Sequence, residues 1–139
     1  MNQVNQEKIL IVDDEPYILL LLETRLKAEG YAVVTASDGL SGLDLAKKEK
    51  PSLIILDLML PKMDGYKVCG LLKKDSRFAR IPILIFTAKA QEQDRKLGEE
   101  AGADAYLTKP FEPPVLLSKI QDLLKVERIE EERTGGVKT

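Results

Sequence analysis

The 139-residue sequence has no histidine, no tryptophan and a single cysteine, Cys69. Without histidine there is no imidazole base, which excludes Ser-His-Asp and Cys-His nucleophilic catalysis and histidine-ligated metal sites. One cysteine cannot close an internal disulfide, so Cys69 reads as a small packing residue suited to a reducing compartment. Long apolar runs are missing too. The stretch Ile18–Leu22 is far too short to span a bilayer, and the opening MNQVNQEK has no apolar leader core. These absences lead to the expectation of a cytoplasmic chain with no membrane contact. Neither sign of charge dominates: 21 basic against 23 acidic residues give a net charge of -2. No basic patch of the kind that neutralises many phosphates is foreseen, so direct nucleic-acid contact by this chain is not expected.

What is present is enough apolar residue, 44% of the chain, to build one folded domain. Short apolar runs alternate with amphipathic stretches. Strands are expected at Lys8–Val12 (KILIV), Tyr31–Ala36 (YAVVTA), Ser52–Asp57 (SLIILD), Ile81–Phe86 (IPILIF) and Ala103–Leu107 (ADAYL). Helices are expected at Glu15–Glu29, stopped by Gly30, then from Ser37 or Asp38 to Glu49, and at Asp64–Lys74, Ala90–Glu100 and Glu112–Lys125. Five successive βα units imply an α/β fold: a parallel sheet with helices on both faces and right-handed crossovers. In such sheets ligands bind beyond the carboxyl ends of the strands.

The polar residues at those ends form a set. Asp13-Asp14-Glu15 follows the first strand, Asp57 ends the third, Thr87-Ala88 the fourth and Lys109-Pro110 the fifth. Taken singly, most have ordinary explanations. Asp13 and Asp14 serve equally well as helix caps, Thr87 as a β-branched strand residue, Tyr106 as a core or rim aromatic and Lys109 as a solvated lysine. Converging on one sheet edge, they suggest chemistry. Clustered carboxylates repel one another, and a hard divalent cation relieves the repulsion; Mg2+, which uses one or two carboxylates and accepts a phosphate oxygen, fits best. A carboxylate can attack phosphorus, a lysine and a metal can neutralise the transferred group, and a threonine hydroxyl can donate to one of its oxygens.

The motifs ILIVDDE, LIILDLMLPKMDG, ILIFTAKA and GADAYLTKPF occur in this order between Lys8 and about Lys125. Together they resemble the receiver domain of two-component response regulators. The resemblance implies a flavodoxin-like (βα)5 fold with strand order 2-1-3-4-5, and a domain over residues 8–125. Residues 1–7 form an N-terminal extension, and 126–139 a charged helical extension with a flexible Gly-Gly tail. It further implies that Asp57 is the phosphoacceptor and that Mg2+ is held by Asp14, Asp57 and the backbone carbonyl of Met59, with Asp13 bound more loosely. Lys109 and Thr87 would contact the phosphoryl group, Thr87 and Tyr106 would move together as a switch, Ala88 would leave room for the phosphoryl group, and the Lys109–Pro110 bond would be cis. Met59 and Lys89 occupy the two family positions that tune phosphoryl lifetime. Neither can orient an attacking water, so a long-lived phosphoryl group is expected.

The phosphodonor implied is a phosphohistidine on a sensor histidine kinase or a phosphotransfer protein. The output implied is a change in the face built from the fourth helix, fifth strand and fifth helix, acting on a partner or effector as a monomer or a phosphorylation-dependent dimer. The charge-paired dimer of the winged-helix subfamily is disfavoured by Ala105, where that subfamily has an acid, and by Lys119 and Lys125 in place of arginines. Such a protein is a phosphoacceptor that promotes its own transfer chemistry, not a turnover enzyme. A stand-alone receiver is favoured over the receiver part of a larger DNA-binding or enzymatic regulator. Rival classes lack their signatures. An aspartate-based phosphatase would carry a second Asp where Met59 stands, and a nucleotide-binding protein would need a Gly-rich loop where Asp13-Asp14-Glu15 lies.

Overall fold

The computed structural model describes residues 6–88 and 92–135, with side chains described to Lys125 apart from 92–95. The first five residues of the N-terminal extension, Lys89 and residues 136–139 of the tail lie outside the described residues. The elements run β1 (Lys8–Val12), α1 (Pro16–Ala28), β2 (Ala32–Ala36), α2 (Gly39–Glu49), β3 (Leu53–Leu56), α3 (Gly65–Lys74), β4 (Ile83–Thr87), α4 (Glu92–Ala101), β5 (Ala105–Thr108) and α5 (Pro113–Gly135). All five strands pair in parallel, in the order β2-β1-β3-β4-β5. This is the fold the alternation of elements and the resemblance lead one to expect.

The strands alternate two apolar faces. Leu10, Val12, Ile54 and Leu56 join α2 and α3 through Leu43, Ala46, Val68, Cys69 and Leu72. Ile9, Ile11, Leu53 and Ile55 join α1 and α5 through Leu22, Leu26, Leu116, Ile120 and Leu124. Each such fully buried aliphatic side chain contributes about 1.5–3 kcal/mol, which is why the central strands are apolar on both faces. Helix α1 spends its leucines unevenly. Leu22 and Leu26 are buried, while Tyr17, Leu20 and Leu21 remain exposed.

Local chemistry sets the helix ends. Gly30 has φ of 97° beyond α1, a left-handed conformation that a glycine adopts without strain. The α2 cap is Asp38, not Ser37; its carboxylate accepts from the Ser41 amide at 2.7 Å. Asp64 caps α3 likewise, accepting from Lys67 at 2.9 Å. Strands β4 and β5 begin two residues later than their apolar patterns suggest. Pro82 cannot donate to a ladder, and the Asp104 carboxylate accepts the Ile83 amide at 2.8 Å ahead of β5. Helix α5 continues past Lys125 to Gly135. No helix among the described residues is long and apolar enough to cross a membrane.

Neighbouring residues of α3, Cys69 and Gly70, differ in their packing. Cys69 is fully buried, and burial pushes its thiol up to about 11. Close packing does not explain Gly70, because a methyl group there would meet nothing within 4 Å. Glycine inside a helix costs backbone entropy, so Gly70→Ala should stabilise the protein by about 0.5–1 kcal/mol, read as a rise in urea midpoint at unchanged slope. Cys69 should stay unreactive toward a disulfide reagent at pH 8 in the native state and react fully in guanidinium.

Candidate functional site

The backbone brings the strand ends together. Asp13 extends β1 by donating its amide to Ala36 O at 3.1 Å, and Asp57 extends β3 by donating to Val12 O at 3.0 Å. Lys109 follows β5, donates its amide to Thr87 O at 2.9 Å and precedes a cis Lys109–Pro110 bond. The carboxylates of Asp13, Asp14 and Asp57 each offer an oxygen within 4.8 Å of the others. Asp13 and Asp57 are buried, whereas Asp14 is exposed.

Asp13 is not a helix cap. The cap position of α1 is Glu15, which makes no side-chain capping bond; Asp13 instead accepts the Glu15 amide at 2.9 Å. This turn aims the acidic segment back over the sheet edge before Pro16 starts the helix with its fixed φ.

One ammonium group faces three of these carboxylates. Lys109 Nζ lies 2.7 Å from Asp13, 3.0 Å from Glu15 and 3.4 Å from Asp57. It also sits 5.2 Å from the centre of the Phe86 ring, which packs edge-on against Phe111, a favourable cation–π geometry. Burial alone would push the lysine toward its neutral form. The hydrogen bonds to Asp13 and Glu15, with the charges of Asp57 and Asp13, outweigh that and hold it protonated beyond the ordinary lysine range. Asp13 shows the opposite balance. Burial pushes its carboxyl up against the lowering by Lys109 and the Glu15 amide, and the charge on Asp57 adds to the rise. A cluster of carboxylates in which burial opposes the charge on Asp13 suits a hard cation with oxygen ligands.

A cleft of about 300 Å³ opens over this group, lined by Asp14, Asp57, Met59, Thr87, Ala88 and Lys109 among others. The Met59 amide donates to Asp57 at 3.3 Å, so the backbone as well as the side chain of Asp57 is fixed. Thr87 is fully buried at the end of β4. Tyr106 is not brought to this cleft. It stands on the outer strand opposite Ile85 and lines a separate cleft of about 290 Å³ with Glu99, Asp104 and Lys119. Lys89, expected near the site, lies outside the described residues.

Two groups escaped the sequence reading. Glu15 is a partner of Lys109, and its place as the third acid in ILIVDDE was the available signal. At the opposite end of the strands, Lys73 Nζ pairs with Asp104 at 2.7 Å and donates to Ala79 O and Ile81 O at 3.1 and 2.8 Å. No local pattern foretells that clamp, because its members come from separate units.

Comparison with known proteins agrees with this geometry. The family model described as response regulator receiver domain matches residues 9–121. The probable transcriptional regulator ycf27 of Cyanophora paradoxa is 49% identical over 88% of this chain and 50% of its own length. The DNA-binding dual master transcriptional regulator RpaA of Synechocystis is 48% identical over 85% of this chain and 49% of its own. The chain thus spans about half the length of the curated relatives it matches. Among solved structures, the receiver domain of sensor histidine kinase PA1611 from Pseudomonas aeruginosa PAO1, with a magnesium ion coordinated in its active-site cleft, superimposes with a TM-score of 0.81. The two are 30% identical, over 87% of this chain and 99% of that one.

The charge balance generates a pH-dependent expectation. A carboxyl whose folded-state pKa lies above its unfolded value binds its proton more tightly in the fold. Its contribution to stability is present below the unfolded pKa and is lost as pH rises through the folded one. Lys109→Met removes the group that opposes this rise. The variant should lose about 1–3 kcal/mol at pH 7, and the deficit should shrink toward pH 4 as Asp13 takes up a proton. Urea melts at the two pH values check this; a deficit that grows on acidification contradicts it.

Proposed function

The chain belongs to the response regulator receiver domain family, and from that premise we propose that Asp57 accepts a phosphoryl group from a phosphohistidine of a sensor histidine kinase or phosphotransfer protein. The observation that carries this is the convergence of Asp13, Asp14 and Asp57 with Lys109 at one sheet edge, under an open cleft.

An Asp57 carboxylate oxygen attacks phosphorus, the new O–P bond forms, and the P–N bond to the donor imidazole breaks. Its electron pair returns to the ring nitrogen, which takes up a proton. The Met59 amide orients the nucleophile. Lys109, released in part from Asp13 and Glu15, neutralises the incoming phosphoryl oxygens, and the Thr87 hydroxyl donates to one of them. Ala88 is small enough to leave the approach open. Asp13, Asp14, Asp57 and the Met59 carbonyl would hold Mg2+, which supplies further charge neutralisation when bound. The chain is then a phosphoacceptor that promotes its own transfer and hydrolysis, without turnover of an external substrate. Thr87 and Tyr106 link the cleft to the face of α4, β5 and α5, where a monomer or a phosphorylation-dependent dimer meets its effector. A cytoplasmic location accords with the free, buried thiol of Cys69.

A second reading, that this is the receiver part of a longer DNA-binding regulator, is favoured by the names of relatives that are twice as long. In both cases the chain itself makes no nucleic-acid contact, in keeping with its near-neutral charge.

Incubation with Mg2+ and acetyl phosphate should add the mass of one phosphoryl group to the wild type and none to Asp57→Asn. Labelling of the Asn variant, or labelling of the wild type without a divalent cation, would refute the assignment. Mg2+ alone, at ten times its dissociation constant, should stabilise the wild type by about 1.4 kcal/mol, and Asp14→Asn should remove most of that gain. With Met59 beside the site, the phosphoryl group should persist well beyond the mixing time once donor is removed; hydrolysis complete within seconds contradicts this.

A further inference from the structure

The segment that follows Asp57 holds its own shape only in part, where the amides of Leu60 and Met63 donate to Leu58 O and Pro61 O at 3.1 and 2.8 Å. Lys62 sits at φ of 70°, a left-handed conformation that a side chain disfavours. The surroundings help to hold the path from Leu58 to Asp64: Lys62 pairs with Asp38 at 3.9 Å, and two glycine contacts fix the backbone. At the far end, Gly65 donates its amide to Leu58 O at 3.0 Å, and a side chain there would overlap the Asp57 carbonyl. In the middle, the amide of the buried Gly39 donates to Pro61 O at 3.1 Å. A Cβ on Gly39 would overlap the Met63 carbonyl oxygen and lie 2.6 Å from its carbon. Those are backbone atoms and cannot swing aside as a flexible side chain can.

Gly39 is itself fixed. It is the first residue of α2, and the preceding Asp38 locks that turn by accepting from the Ser41 amide and hydroxyl at 2.7 and 3.1 Å. The Ser41 amide holds the Asp38 carboxyl below the ordinary range, so the lock persists at neutral pH. The positive end of α2 thus meets the carbonyls of the segment that carries Met59.

We propose that Gly39 is a positioning residue for the phosphoacceptor site: its missing side chain lets the first turn of α2 clasp the Pro61–Met63 backbone and so sets where Met59 and Asp57 stand. This rests on the function proposed above, and it assigns part of that site's geometry to a residue outside the cleft, on a helix that holds no proposed ligand. Residues that orient ligands without touching the metal commonly change its affinity by about 10–100-fold.

The test compares two substitutions in α2. Gly39→Ala pushes the clasped backbone away. Ala46→Gly, at a buried position further along the helix, loosens α2 without reaching the loop. Mg2+ affinity is read by calorimetric titration, phosphorylation by the rate with acetyl phosphate, and stability by melting. Gly39→Ala should weaken Mg2+ binding and slow labelling by about tenfold or more. Ala46→Gly should melt earlier with wild-type Mg2+ affinity. A Gly39→Ala protein that melts earlier yet binds Mg2+ as the wild type does would overturn the proposal, as would an equal loss of affinity in both variants. If Gly39→Ala does not fold, the wild type decides. Coupling is reciprocal, so Mg2+ with beryllofluoride must slow hydrogen exchange at the Gly39 amide, and unchanged exchange overturns the assignment. A wild type that fails to bind Mg2+ would overturn the proposed function along with this inference, whereas normal wild-type binding with an indifferent Gly39→Ala would overturn the inference alone.

Discussion

The ammonium of Lys109, set among Asp13, Glu15 and Asp57, is the interaction on which the rest of this molecule depends. Four acidic side chains crowd one sheet edge, two of them buried, and like charges so placed repel one another. Lys109 makes their ionisation tolerable. It does so from the end of the outermost strand, so the charge balance requires all of β1, β3, β4 and β5 to be in register. The apolar core on both faces of the sheet supplies that register. Truncating it would cost stability directly and would also separate the lysine from its carboxylates.

A site balanced in this way is poised to exchange partners. The lysine is shared among three acceptors at 2.7–3.4 Å and committed to none, and its contact with Asp57 is the longest of the three. Burial keeps Asp13 reluctant to ionise even so. An entering cation or phosphoryl group therefore meets carboxylates and an ammonium already in place, with little reorganisation needed. The backbone that holds them is fixed by separate contacts: an Asx-type turn after β1, the Lys109 amide bonded to Thr87 O after β5, and between β3 and α3 a left-handed lysine pinned by glycine contacts.

Much of this was legible beforehand. The apolar runs marked the strands, since a parallel strand buried on both faces has no polar face to confuse its pattern. Gly30 marked the end of α1 because its positive φ is a local requirement. The boundaries that slipped are those where tertiary contacts intervened. Pro82 and the bond from the Ile83 amide to the Asp104 carboxylate fix where β4 begins, and that bond joins residues 21 apart in sequence. The open space beside Gly70 is visible only in the folded structure. At the site, Asp13, Asp14, Asp57, Met59, Thr87 and Lys109 were all named from the strand ends, and Glu15 was visible without an assigned partner. Tyr106 was named with them, yet it stands apart from the cleft, on the side of β5 facing Glu99 and Lys119.

The sequence by itself determined the fold class, the identity of the residues at the carboxyl ends of the strands, and the family. All three follow from order along the chain: hydrophobic period, βα alternation, and motifs at fixed separations. Only the tertiary structure decided how charge is divided at the site, because the sharing of Lys109 among three carboxylates depends on distances between segments up to 96 residues apart. It alone also revealed that α2, silent in every motif, grips the loop after Asp57 through a residue with no side chain. Contacts made by an absent group leave no chemical signature in a sequence and become visible only when the atoms that fill the space are in place.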